Sequence, residues 1–299
     1  LNTDNAVAIT LDGSNDFQGT LSIAASGTGN VIINDDNSLK LADGTVAKNL
    51  TITAGGDITQ DITSGFVVTG TTSLDVSAGN GSDITLLGGT NDFVGAVTIL
   101  ATDADSVVSI IDVNDLLISS LGDLNVGAIT ATSGTLTITS STGSINDATD
   151  DNVVDLTAGG LITLTAEDEI GDHATFTDKE LELAAGSSVD ASSSTVGAIR
   201  LDGLGALTLA DVDTGNGIIT VTAAGLLIAT DVASLTDDDS NDITLTGVGI
   251  VAGLVNAGLV GDVTLSAGTG AITQDGTDDK NDVSAHILVA DATSGINLD

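Results

Sequence analysis

The chain has 299 residues, with 43 acids against five Lys and Arg, a formal net charge of −38 and 41% hydrophobic positions. That charge excludes nucleic-acid phosphates and anionic lipid as partners, and a mean hydropathy of +0.36 excludes a disordered polar chain. Cys, Met, Pro, Trp and Tyr are absent and only four Phe occur, so no disulfide or thiolate chemistry is available and the core consists of thin, even layers of Val, Ile, Leu and Ala.

Along the chain, short alternating segments predict strands over Val7–Leu11, Leu39–Ala42, Leu50–Ala54, Leu136–Ser140, Leu161–Ala166, Ile218–Ala223, Ile243–Gly247 and Val263–Ala267, each bounded by Gly, Asp, Asn or Ser. In the third of these, Leu50, Ile52 and Ala54 share the core side while Thr51 and Thr53 face outward. Helix periodicity is nearly absent. The exception is Glu167–Thr195, which holds all four Glu together with His173, Phe176 and Lys179; it reads as an irregular or bulged stretch with room for a short helix over Asp178–Ala185. No run reaches the roughly 18 apolar residues that cross a bilayer, so membrane insertion is not expected. The chain starts at Leu1 without a basic, apolar leader and reads as a portion of something larger.

Phrases recur. Ile9-Thr10-Leu11 followed by Asn15-Asp16-Phe17-Gln18-Gly19 returns as Ile84-Thr85-Leu86 followed by Asn91-Asp92-Phe93-Val94-Gly95. Leu121-Gly122-Asp123-Leu124 with Gly134–Thr139 returns, displaced by 83 positions throughout, as Leu204-Gly205-Ala206-Leu207 with Gly217–Thr222. Leu50–Asp61 is echoed by Val263–Asp275. Constant internal spacing of this kind marks duplication and a repeat architecture. Antiparallel sandwiches want bulky cores and protected edges, which are missing here; small branched residues and short Gly and Asp bends fit stacked coils. The expected fold is therefore all-β: a parallel β-helix, or β-solenoid, forming one elongated rod over residues 1–299. With roughly 20 residues per coil and ~4.8 Å between coils, it would make about 15 turns on the order of 70 Å long.

The Asn-Asp-Phe-x-Gly phrases at 15–19 and 91–95 and the Leu-Thr-Ile-Thr-Ala-Gly-Gly-Asp-Ile-Thr-Gln phrase at 50–60 resemble the β-strand repeats of large bacterial surface proteins, similar to filamentous-haemagglutinin and autotransporter-type adhesins. The resemblance implies a right-handed coil, export to the cell surface or the medium, and a role in attachment, matrix or fibre formation.

Chemical candidates lie in Asp-rich bends: Asp35, Asp36 and Asn37; Asp147, Asp150, Asp151 and Asn152; Asp237, Asp238, Asp239, Asn241 and Asp242; Asp275, Asp278, Asp279 and Asp282. Calcium takes six to eight oxygens, and the bend at 237–242 is the leading expected calcium (Ca2+) site, weighed against solvated turn acids. Outward Thr-x-Thr pairs at 51/53, 135/137, 137/139, 163/165 and 220/222 offer hydroxyl ladders to ice or sugar, although Thr is also simply a good strand former. Asn49-Leu50-Thr51 and Asn80-Gly81-Ser82 match the glycosylation acceptor pattern. His173 and His286 lack a nucleophile signature, Arg200 is the sole arginine, and paired Asp arise by chance in so acidic a chain, so catalysis is not expected. The expected role is a non-catalytic extracellular rod, stalk or filament whose partners are copies of itself, further repeats, or host and matrix glycans. The alternatives are a carbohydrate-active β-helix hydrolase or lyase and a ligand-binding adhesin domain.

Overall fold

The computed structural model describes residues 1–3, 8–101, 103, 105–149, 151–171, 180–276 and 282–298. Two compact units, Leu1–Ser141 and Thr142–Asp299, divide the chain. Each is a β-solenoid of parallel strands, about 12 coils in all, with no helix among the described residues. No helix is therefore long and apolar enough to cross a membrane.

In the first unit one sheet stacks Val31–Asp35, Leu50–Ala54, Thr72–Asp75, Val97–Leu100, Leu116–Ser120 and Leu136–Ser140. The alternation seen in sequence is what these strands need: buried residues at every second position face the interior, and Thr or Ser lies between them. Register then places like on like. Ile33 sits opposite Ile52, Ile52 opposite Leu74 and Leu74 opposite Ile99, all at most 1% exposed. The facing sheet stacks Leu39, Ile58, Ile84, Val108 and Val126 in the same manner.

The second unit repeats the scheme with Ile199, Ile219, Ile243 and Val263 on one sheet and Val189 and Leu209 on the other, every one fully buried. Six of the predicted strands coincide with the observed ones to within one residue at each end: Leu50–Ala54, Leu136–Ser140, Leu161–Ala166, Ile219–Ala223, Ile243–Gly247 and Val263–Ala267.

Coil length is less uniform than expected. Register partners lie 18 residues apart at Val108 and Val126 but 27 apart at Leu161 and Ser188, which is why about 12 coils form and not 15. The excess is absorbed in bends and in bulges, such as the one between Leu21 and Ile23 opposite Leu41 and Gly44. At that bulged strand the aromatic ring of Phe66 lies over its register partner Gly44, where an added Cβ would come within 2.1 Å of the ring. A large side chain is thus admitted into thin layers where its neighbour has no side chain.

The expected helix over 178–185 does not form: residues 178 and 179 lie outside the described residues, and Leu181–Leu183 is a strand in register with Leu201–Gly203. The second half of the stretch expected to be irregular is regular as well. Ser187–Ser193 pairs with Leu161–Ala166 on one side and with Leu207–Thr214 on the other. His173, Phe176 and Lys179 lie outside the described residues.

Alternation of burial gives a direct test. Ile138 is fully buried and Thr137 is not. Ile138→Ala is expected to destabilise the chain by about 2–5 kcal/mol, and Thr137→Ala by less than about 1 kcal/mol, measured by denaturant unfolding followed by far-UV circular dichroism.

Candidate functional site

The recurring Asn-Asp-Phe phrase is a clip between coils. Asn91 is fully buried, and its Nδ2 donates to Gln60 Oε1 (2.9 Å), to Leu86 O (3.1 Å) and to Ile111 O on the next coil (3.2 Å). Its Oδ1 accepts from Gln60 Nε2 (2.7 Å) and from Phe66 N (2.9 Å) on the preceding coil. Asn15 repeats the outgoing half of the pattern, with Nδ2 donating to Leu11 O (3.0 Å) and to Asn34 O on the next coil (2.8 Å).

The aromatic member of each phrase donates its backbone N–H to a buried aspartate one coil on. Phe17 N donates to Asp35 Oδ1 (3.3 Å) and Phe93 N to Asp112 Oδ2 (2.6 Å). Burial pushes the Asp112 carboxyl up despite the hydrogen bonds it accepts from Phe93 and Asn114. Side-chain amides and carboxylates thereby satisfy backbone groups that the bends leave without sheet partners.

The bend at 237–242 is engaged in the same work. Asp237 Oδ1 accepts from Leu259 N (2.7 Å) and Val260 N (3.0 Å), and Asp242 Oδ1 from Asp262 N (2.9 Å), each on the next coil. Asp238 Oδ1 accepts from Ser240 N (3.0 Å) and Ser240 Oγ (2.8 Å), bonds that hold its carboxyl below the ordinary value. Asn241 is buried and donates to Thr236 O (2.6 Å), while Asp239 is exposed. In the other bends, Asp35 and Asp147 are buried, whereas Asp36, Asn37, Asp151 and Asn152 are exposed. Asp275 is half-buried and Asp282 buried, and Asp150, Asp278 and Asp279 lie outside the described residues.

Acids that do converge join near neighbours in sequence to an acid from the next coil. Among the described residues, Asp147, Asp155 and Glu182 form one group and Asp211, Asp213 and Asp231 another, with one carboxylate oxygen from each member within 4.8 Å of the others. The second group belongs to a ladder: Asp190 lies opposite Asp211, and Val212 opposite Val232, which brings Asp231 alongside Asp211 one coil on. Burial first, then Asp211, Asp231 and Asp190, push the Asp213 carboxyl up to about 6. Asp190 and Asp231 are raised too, by burial and by Asp211. This partly exposed set of hard oxygens has the donor chemistry that a divalent cation takes. Sequence clustering misses it; the 20-residue offset from Asp211 to Asp231, one coil, is the signal that finds it.

Hydroxyl rows run along the outer faces as the Thr-x-Thr pairs predict. Thr220, Thr244 and Thr264 fall in register, as do Thr222, Thr246 and Ser266, and Thr98 Oγ1 lies 3.4 Å from Ser119 Oγ. Asn49 Oδ1 accepts from Thr71 N (3.1 Å), so this acceptor-pattern residue also joins two coils. His286 Nδ1 lies 3.4 Å from Asp262 Oδ1 at an exposed site, and His173 lies outside the described residues.

Residues 28–100 match a family model described as repeats of unknown function (DUF5649). No curated protein and no solved structure matches the chain. The matched span holds the Leu50–Gln60 phrase and the Asn91-Asp92-Phe93 clip, so the repeat signature and the coil-joining residues coincide.

Two outcomes follow from these networks. Asn91→Ala strands several buried groups and is expected to cost more than about 2 kcal/mol, with Asn15→Ala, nearer to solvent, costing less; paired unfolding curves check the order. Asp213 has a raised pKa in the fold, so the folded state binds more protons than the unfolded state and stability is lost as pH rises from about 4 to about 6. Asp213→Asn should flatten that part of the profile and stabilise the chain at pH 7 by on the order of 1 kcal/mol, allowing for solvent screening.

Proposed function

We propose that this chain is a non-catalytic structural or adhesive segment of an extracellular surface protein, akin to the repeat regions of filamentous-haemagglutinin-type adhesins. The observation that carries this reading is the in-register stacking of near-identical small residues coil upon coil, joined by clips that recur with the repeat. Such a design extends by adding coils and needs no irregular cavity. The repeat match over 28–100 supports the same reading. Every coil offers its neighbours the same parallel edge, so coils of further repeats or of another copy are the partners that fit best. The outer hydroxyl rows supply neutral hydrogen-bonding surface for matrix glycans in a chain otherwise strongly acidic.

Electron microscopy of the purified chain over a concentration series, combined with sedimentation, tests the proposal. Filaments or elongated assemblies that grow with concentration, and retention on immobilised surface polysaccharide without its degradation, are the expected results. Shortening of polysaccharide chains on incubation would replace this reading with the hydrolase or lyase alternative. Compact monomers at every concentration that bind no polysaccharide would overturn it.

A further inference from the structure

The Asn-Asp-Phe phrase occurs twice with one scaffold and two different linings. In both copies the Phe backbone N–H is held by a buried aspartate of the next coil, Asp35 for Phe17 and Asp112 for Phe93. The same carboxylates reach further: Asp35 Oδ1 accepts from Asn37 N (3.4 Å) and Asp112 Oδ1 from Asn114 N (2.7 Å), so each fixes both sides of its junction. The rings then part ways. Phe93 lies in a strand paired with Val68 and is 2% exposed, whereas Phe17 lies in no strand and is partly exposed. Among the described residues it is the one aromatic ring outside the core, since Phe66 is buried as well. The residue that follows differs too, Val94 in one copy and Gln18 in the other.

Phe17 borders an open cleft of about 430 Å³, formed by residues 16–18 of one coil, Asn37 and Ser38 of the next, and Gly55 and Gly56 of the third. Backbone bonds sew these coils together. Asp36 N donates to Asn15 O (2.8 Å), Gly55 N to Asp35 O (2.9 Å) and Asp57 N to Ser38 Oγ (3.0 Å). A Cβ at Gly55 would come within 2.3 Å of Asp36 O and one at Gly56 within 2.5 Å of Ser38 Oγ, so the close approach of the bends requires glycine on that side. Gln18 Nε2 donates to Asp16 Oδ1, which ties two lining side chains to each other. An aromatic ring, two carboxamides and a hydroxyl thus share one preformed concavity, the composition of a small-molecule site.

We propose that this cleft binds a short stretch of uncharged saccharide. The inference rests on the attachment reading above and gives it a defined site. A sugar ring has an apolar C–H face and a rim of hydroxyls. The negative face of the Phe17 ring suits the first, and the Gln18 and Asn37 carboxamides, which both donate and accept, suit the second. Charge selects among sugars: Asp16 in the lining and Asp36 in the adjoining bend are exposed acids in a chain of net charge −38, so uronic and sulfated sugars are repelled.

Calorimetric titration of the full chain with maltotetraose, cellotetraose and mannotetraose as neutral probes, and with tetragalacturonate as the anionic one, tests the proposal. At least one neutral probe is expected to bind and to shift the Phe17 ring signals in nuclear magnetic resonance spectra, while tetragalacturonate does neither. Phe17→Ala should weaken that binding by about tenfold or more, and Phe17→Tyr should retain it. Gln18→Val, which installs the residue found at position 94, should weaken it too. A neutral probe bound equally by wild type and Phe17→Ala would overturn the site and leave attachment through the hydroxyl rows standing. Binding of none of the neutral probes, or tighter binding of tetragalacturonate, would also overturn it; filaments in the electron microscope would then separate this failure from failure of the structural reading. If Phe17→Ala loses the circular dichroism of the folded chain, Gln18→Val decides by the same criterion.

Discussion

Parallel pairing of one coil upon the next, in register, is the constraint from which the rest of the structure follows. Each backbone N–H and C=O inside a sheet is satisfied by a neighbouring coil, and each side chain meets the residue one turn away in sequence. A position that is Ile in one coil is therefore packed against whatever occupies the same rung above and below. Rows such as Ile33, Ile52, Leu74 and Ile99 fill the interior without large side chains, because identical rows need no interdigitating shapes. The lack of Trp, Tyr and Met follows from that geometry. Where a large ring does enter, at Phe66, its rung partner is Gly44.

The same rule that stacks like apolar groups also stacks like charges. Asp190, Asp211 and Asp231 repeat on three coils because the pattern repeats, and their mutual repulsion is a direct cost of the architecture. Solvent softens that cost on the outer face. At Asp155 burial removes the solvent and, with Asp147 and Asp151 nearby, pushes the carboxyl up. Bends escape the problem differently: Asp237 and Asp242 spend their charge on backbone N–H groups of the next coil, which lowers the demand for a counterion there.

Strands were legible in the sequence wherever period-two alternation ran without interruption, as in Leu50–Ala54 and Val263–Ala267, because burial on one face alone determines such a pattern. Long strands outrun their alternating pattern for an equally physical reason. In Leu39–Val46 a bulge around Asp43 and Gly44 inverts the phase, so the inward residues are Leu39 and Leu41 before it and Val46 after it. The helix expected near 178–185 gave excess weight to Glu and Lys as helix formers, whereas Leu181-Glu182-Leu183 is an alternating trio matched to Leu201–Gly203. Acid sites were the least legible. Groups adjacent in sequence at 237–242 point to different backbone partners, while groups that meet in space include members a coil apart, and register partners lie from 18 to 29 residues apart.

The recurring phrases show how loosely sequence identity constrains position in such a fold. Ile9-Thr10-Leu11 pairs with Val31–Ile33 in one sheet of the first unit, yet its echo Ile84-Thr85-Leu86 pairs with Val108–Ile110 in the other. The two sheets ask for the same thing, a three-residue alternation ending in an Asn whose amide bridges the strand end to the next coil. A half-coil is therefore interchangeable between faces, and the effective building block is smaller than one full turn. Duplications need not be whole multiples of a coil to fold, which accounts for a chain whose repeats are recognisable as phrases but irregular in length. The outgoing half of the clip tolerates that irregularity because it bonds to backbone on the next coil, Asn15 to Asn34 O and Asn91 to Ile111 O, whichever sheet the strand end lies in.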